Sequence, residues 1–118
     1  MAAHGPTGLP QQRCQACTGE TPRLSGTEVA ALGAELAPRW SVVDQHLRCR
    51  IRCPDFAAAM ALATRVALLA EAEGHHPELT VAWGRLGGDL TTHVIHGLSR
   101  NDFIMAAKID LLVDPPAP

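Results

Sequence analysis

From Phe56 to Glu73 the chain runs without a glycine or a proline, in a stretch dominated by alanine and leucine. Such a run has high helix propensity and nothing to interrupt it. Pro54-Asp55 ahead of it supplies a capping carboxylate, and Gly74 behind it supplies the glycine that commonly ends a helix. Phe56, Met60, Ala63, Ala67 and Ala70 fall on one stripe, which Leu62, Val66 and Leu69 widen, so this helix is expected to be buried round much of its circumference. Its alanines would allow a sheet or a second subunit to approach closely. The segments on either side must provide the covering layer.

Both sides carry a pair of strand-like segments. Trp40–Val43 and His46–Cys53 flank a turn at Asp44-Gln45, and Leu79–Trp83 and Leu86–Ile95 flank one at Gly84-Arg85, although Gly87 and Gly88 weaken the last segment. Ser25-Gly26-Thr27-Glu28 has the capping-box spacing ahead of Val29, Leu32 and Leu36, and Pro38 stops that helix. Ser99 and Asp102 repeat the spacing ahead of Phe103, Ile104, Ala107 and Leu111. The order helix, two strands, helix, two strands, helix predicts an α+β two-layer domain. Its four-stranded antiparallel sheet would have the helices packed on one face and the other face wet. The domain is placed at residues 23–113, behind a flexible leader at 1–22 rich in Gly, Pro, Gln and Thr and ahead of a disordered tail at 114–118. Exposed, weakly charged edge strands favour pairing between subunits, so a homodimer or homotetramer is expected.

A length of 118 residues suits one core, and 47% apolar residues can fill it. The net charge of −2, with the arginines scattered along the sequence, offers no basic face, so nucleic acid is not expected as a direct partner. No stretch approaches the ~20 apolar residues of a membrane span and no signal-like apolar run opens the chain, so the reading is a cytoplasmic protein without membrane contact. Cys14 and Cys17 form a C-x-x-C, but Cys49 and Cys53 fall in an alternating strand, where residues four apart lie ~13 Å apart along the chain. Two ligands of one tetrahedral zinc need sulfurs within about 4 Å. Ordinary reduced thiols are therefore expected.

Histidine is the side chain that can donate and accept protons near neutrality, so the six histidines bear most on chemistry. His75 and His76 follow Gly74 at the exit of the long helix, with Pro77 fixing the backbone behind them. Glu71 lies four residues before His75, so a persisting helical register would bring its carboxylate to that ring. His93, late in the last strand, would return toward His76 if the hairpin is tight. These residues suggest an acid/base site. Two other readings are open: solvated histidines at a helix C-terminus, and a metal held by His75, His76, His93 and Glu71.

Taken together, Glu71, His75-His76-Pro77, Trp83, His93 and Asp102, at their spacings, resemble the signature of the pterin-4a-carbinolamine dehydratases. Arg100-Asn101-Asp102-Phe103-Ile104-Met105-Ala106-Ala107 and the leading Cys14-Gln15-Ala16-Cys17 are similar to the bacterial members that accompany phenylalanine hydroxylase, and the likeness spans about residues 14 to 112. The resemblance implies a four-stranded antiparallel sheet with helices on one side. It also implies dehydration of 4a-hydroxytetrahydrobiopterin to the quinonoid dihydropterin, with no metal or organic cofactor. Its partners would be the pterin and an aromatic amino acid hydroxylase whose cofactor is recycled. Carried onto this chain, the resemblance makes His75 and His93 proton donors beside the leaving oxygen and His76 a binder or base. Glu71 would orient His75, Pro77 would fix the turn, Trp83 would support the pocket wall and Asp102 would close the site. One departure is Leu79, where some members carry a large aromatic. Family relatives also act as non-catalytic protein-binding modules, which is the alternative function.

Overall fold

The computed structural model describes residues 8–115. Three helices, α1 (Gly26–Gly33), α2 (Phe56–Glu73) and α3 (Arg100–Val113), accompany four strands: β1 (Trp40–Val43), β2 (His46–Arg52), β3 (Glu78–Ala82) and β4 (Arg85–Leu90). The sheet is antiparallel throughout, in the order β1-β2-β4-β3. The expected element order and fold class are those observed.

Local chemistry sets the boundaries. The Ser25 hydroxyl accepts from Glu28 N–H at 3.2 Å while Glu28 accepts from Ser25 N–H at 2.8 Å, closing a capping box on α1. Asp44 and Gln45 both have positive φ, 50° and 65°, as the twist of a two-residue hairpin turn requires, and Val43 pairs with His46 across it. The Asp55 carboxylate caps α2 through Ala58 N–H at 2.8 Å, and Gly74 ends it with φ 70°. The second hairpin turns at Trp83-Gly84, one residue earlier than expected, because Arg85 pairs with Ala82. Gly84, with φ 81°, carries the left-handed backbone there.

The period-2 pattern of β2 sends Leu47, Cys49 and Ile51 to the helix layer, where Leu86 and Leu90 of β4 join them. The same pattern sends Arg48, Arg50 and Arg52 to the open face, and Arg85 pairs directly with Arg52. Four of the nine arginines are therefore gathered on one face, because strand alternation and pairing, not proximity in sequence, decide who shares a face.

The packing of α2 follows its expected stripe in part. Ala59, Leu62, Ala63, Val66 and Ala70 face the core, whereas Phe56, Met60 and Leu68 are exposed. Ala63, Ala70, Leu62 and Val66 of the expected face are thus buried, whereas its Phe56, Met60 and Ala67 are not, because an alanine-rich helix leaves its buried stripe poorly marked. By contrast α3 is buried on all sides from Asn101 to Ala107, while Leu111 near its end is exposed. The segment before α1 supplies part of that cover. Leu9, within the stretch read from sequence as a leader, is buried in the common core beside Phe103 and Met105. No helix among the described residues is long and apolar enough to cross a membrane. Of the expected tail at 114–118, residues 116–118 lie outside the described residues.

Candidate functional site

Two buried polar side chains organise the site. Asp102 sits at the third position of α3, where a carboxylate can accept the free N–H groups of a helix start. It is fully buried, and it is paired on every side. One oxygen, Oδ2, accepts from Ser99 N–H at 3.0 Å and from the Thr92 hydroxyl at 2.8 Å; the other, Oδ1, lies 2.7 Å from Nε2 of His75. The Ser99 hydroxyl extends the network to Thr92 at 2.8 Å. With the carboxylate as acceptor, His75 donates through Nε2 and its Nδ1 is the ring nitrogen left to take or give a proton.

The left-handed turn at Gly74 decides which histidine meets which acid. Beyond it the helical register no longer holds, so Glu71 does not reach His75 as its spacing suggested. Glu71 pairs instead with His76, Oε2 to Nε2 at 2.5 Å, and both side chains are exposed. His75 turns inward to Asp102 and His76 outward. Pro77 then leads straight into β3.

His93 reaches this region by another route than a strand. β4 stops at Leu90, and Thr92 bridges to Gly97 around a short 3₁₀ turn, His93–Ile95, with His96 at φ 51°. The backbone that delivers the Thr92 hydroxyl to Asp102 thus carries His93 as its next residue, with its side chain exposed. His76 and His93 are thus chain neighbours of two members of the carboxylate network, His75 and Thr92, but only His75 bonds to it.

Trp83 lies elsewhere. Six residues of extended chain separate it from Pro77, about 20 Å at ~3.3 Å per residue. Its side chain, 73% exposed, lines an open-face cavity of about 400 Å³ with Arg50, Arg52, Gly84 and Arg85. A larger cavity, about 830 Å³, lies between residues 12–28 and the start of α3, bordered by Gln12, Cys17, Leu24, Ser99, Arg100 and Ile104. No histidine lines either one.

Among the described residues no three His, Cys, Asp or Glu side chains are grouped as a metal ion would need, so the ligand set of the metal alternative is not assembled. All four cysteines are free thiols. Burial above all, and then the Glu73 carboxylate, push the Cys14 thiol up to about 12. Burial resists ionisation of Glu73 itself, but the Cys14 N–H, the Lys108 ammonium and the Arg13 guanidinium outweigh it and hold that carboxyl below its ordinary value.

Sequence reasoning missed Thr92 and Glu73 altogether and read Ser99 only as a cap. Their partners are set by tertiary folding, and the one signal available was the position of Thr92 beside His93.

The chain was then compared with known proteins. The family model for pterin 4 alpha carbinolamine dehydratase matches residues 22–112. A protein of Gloeobacter violaceus, provisionally named pterin-4-alpha-carbinolamine dehydratase 1, is 44% identical over 108 residues, covering 88% of this chain and 92% of its own. A similarly named protein of Rickettsia bellii is 43% identical over 105 residues, covering 88% and 93%. Among solved structures, a transcriptional coactivator/pterin dehydratase from Brucella melitensis superposes with a TM-score of 0.73 at 30% identity, covering 78% of this chain and 99% of that one. With the signature residues in place and the match running through nearly the whole described chain, this protein belongs to the pterin 4 alpha carbinolamine dehydratase family.

Proposed function

We propose that this protein dehydrates 4a-hydroxytetrahydrobiopterin to the quinonoid dihydropterin and water, with histidines moving the protons. The observation that carries the reading is the fully buried Asp102 held 2.7 Å from His75 Nε2 by a satisfied network. A proton-transfer histidine needs one ring nitrogen fixed so that the other is available, and this carboxylate supplies that fixing partner. In the reaction the carbon–oxygen bond at C4a breaks, the departing oxygen takes a proton and leaves as water, and the neighbouring ring nitrogen gives up a proton as it forms the double bond. His75 Nδ1 and His93 serve the departing oxygen, and His76, oriented by Glu71, binds the ring or accepts its proton. General acid/base assistance of ~10²–10⁴-fold is enough for a carbinolamine, whose nitrogen lone pair already helps expel the hydroxyl.

The activity would return the cofactor of an aromatic amino acid hydroxylase to its cycle. A homo-oligomer accompanies this reading, since β1 and β3 are the sheet edges and β1 exposes Val42 and Val43; sedimentation of the purified protein tests it. The direct test of function is purified protein with freshly generated 4a-hydroxytetrahydropterin. Quinonoid product should form faster than in buffer, and a rate equal to the buffer blank would end the proposal. The coactivator description of the Brucella melitensis structure favours a second reading, a protein-binding module. That reading gains if the purified chain is inactive and a defined protein partner copurifies in stoichiometric amount.

A further inference from the structure

His75 and Asp102 both stand where helices are least firmly held. His75 lies just past the left-handed end of α2, and Asp102 is in the first turn of α3. Helix ends fray, so something else must hold these two ends at a spacing that keeps a 2.7 Å contact.

The segment around the C-x-x-C does this. Glu73, two residues before His75, accepts the Cys14 N–H on Oε1 at 2.9 Å and meets Arg13 Nε on Oε2 at 3.0 Å. Asn101, immediately before Asp102, makes a two-bond fork with the Gln15 peptide: Oδ1 accepts Gln15 N–H at 2.9 Å, and Nδ2 donates to Gln15 C=O at 2.6 Å. Consecutive peptide groups, their Cα atoms ~3.8 Å apart, thus grip α2 and α3 in turn. Four further contacts lock the arrangement. The Cys14 thiol donates to the Asn101 carbonyl at 3.7 Å, and Asn101 Nδ2 also lies 3.1 Å from Cys17 Sγ. Lys108 of α3 bonds the Pro10 carbonyl at 2.9 Å and stands 3.7 Å from Glu73. The two cysteines bracket Asn101, which gives the C-x-x-C a packing role that neither a metal nor a disulfide explains.

We propose that Glu73 and Asn101, tied together by the Arg13–Gln15 segment, are positioning residues that set the geometry of the His75–Asp102 pair. This rests on the proton-transfer reading above. Side chains that exchange protons must be held to within about 0.5 Å, so loosening either helix end should slow turnover more than it weakens substrate binding.

The test uses the full chain with three variants. Asn101→Ala removes the fork from α3, Gln15→Pro removes the peptide N–H without altering either helix, and Glu73→Ala removes the acceptor of Cys14 N–H from α2. Dehydratase kcat and KM are measured beside the solvent-exchange rate of the His75 Nε2 proton by NMR, with urea unfolding to establish that each variant is folded. Asn101→Ala and Gln15→Pro should each lower kcat about tenfold with KM changed less than threefold, and should speed imidazole proton exchange at least tenfold. Glu73→Ala should likewise lower kcat about tenfold and speed imidazole proton exchange. If the parent protein is inactive, the proton-transfer reading falls, and proton exchange alone decides the strap. If the parent is active and folded Asn101→Ala and Gln15→Pro keep its proton-exchange rate, the strap is overturned, whether or not kcat falls.

Discussion

The Asp102 carboxylate lies 2.7 Å from Nε2 of His75 with no part of it exposed to solvent, and Thr92 and Ser99 both donate to its other oxygen. Replacing it by asparagine keeps the shape but puts an N–H₂ where an acceptor stood. Either the carboxamide donates to His75 Nε2 and forces the proton onto Nδ1, or it faces the Thr92 hydroxyl and Ser99 N–H with a donor. Asp102→Asn should lower kcat about 100-fold, read by quinonoid formation. Asp102→Ala, which strands three buried donors, should cost about 3 kcal/mol or more in urea unfolding.

The exposed Glu71–His76 pair stands in contrast. Surface ion pairs of this kind contribute little to stability. Glu71→Gln should leave the thermal midpoint within about 2 °C of the parent and should lower turnover by a small factor, far less than Asp102→Asn does. Paired thermal scans and initial rates check this, and a loss equal to that of Asp102→Asn would give the Glu71–His76 pair as large a part in proton transfer as His75–Asp102.

Glu73 gives a pH dependence whose sign follows from its depressed value. A carboxyl held below its ordinary 4.5 in the folded chain stabilises that state above 4.5, and the contribution disappears as pH falls through the folded value. Acid should therefore release residues 13–15 from α2. Hydrogen exchange at the Cys14 amide should accelerate as pH is lowered from 5 toward 3, after correction for intrinsic rates. Glu73→Gln should flatten that dependence.

The thiols are expected to be passive. Burial first, and for Cys14 the neighbouring Glu73 as well, push Cys14 up to about 12 and Cys49 up to about 11. Alkylation needs the thiolate. Iodoacetamide at pH 8 should label both positions at least tenfold more slowly in the native protein than in urea, as peptide mass spectrometry would show. Rapid native labelling of Cys14 would contradict the buried placement of its segment.

Much of this fold was legible in the residues because its signals are local. Asp55 and Gly74 bracket α2, Asp44-Gln45 fill a turn that needs two left-handed residues, and β2 alternates strictly between leucine-like and arginine positions. His75, His76 and Asp102 were legible by type and spacing. What escaped depends on the chain returning to itself. Glu71 changes partner because one left-handed glycine rotates everything after it. His93 leaves the strand because Thr92 is drawn to Asp102. The contacts of Cys14 with Glu73 and of Gln15 with Asn101 span 59 and 86 residues, beyond any periodicity. Trp83 fits the signature yet stands at the far end of β3, since spacing along a strand does not say where its end arrives.

The most direct measurement is the rate of quinonoid pterin formation by the parent protein and by His75→Ala, each against the buffer blank. The parent should run well above the blank and His75→Ala should fall by about 100-fold or more. A folded His75→Ala protein turning over at the parent rate would contradict the assignment of proton transfer to the buried His75–Asp102 pair.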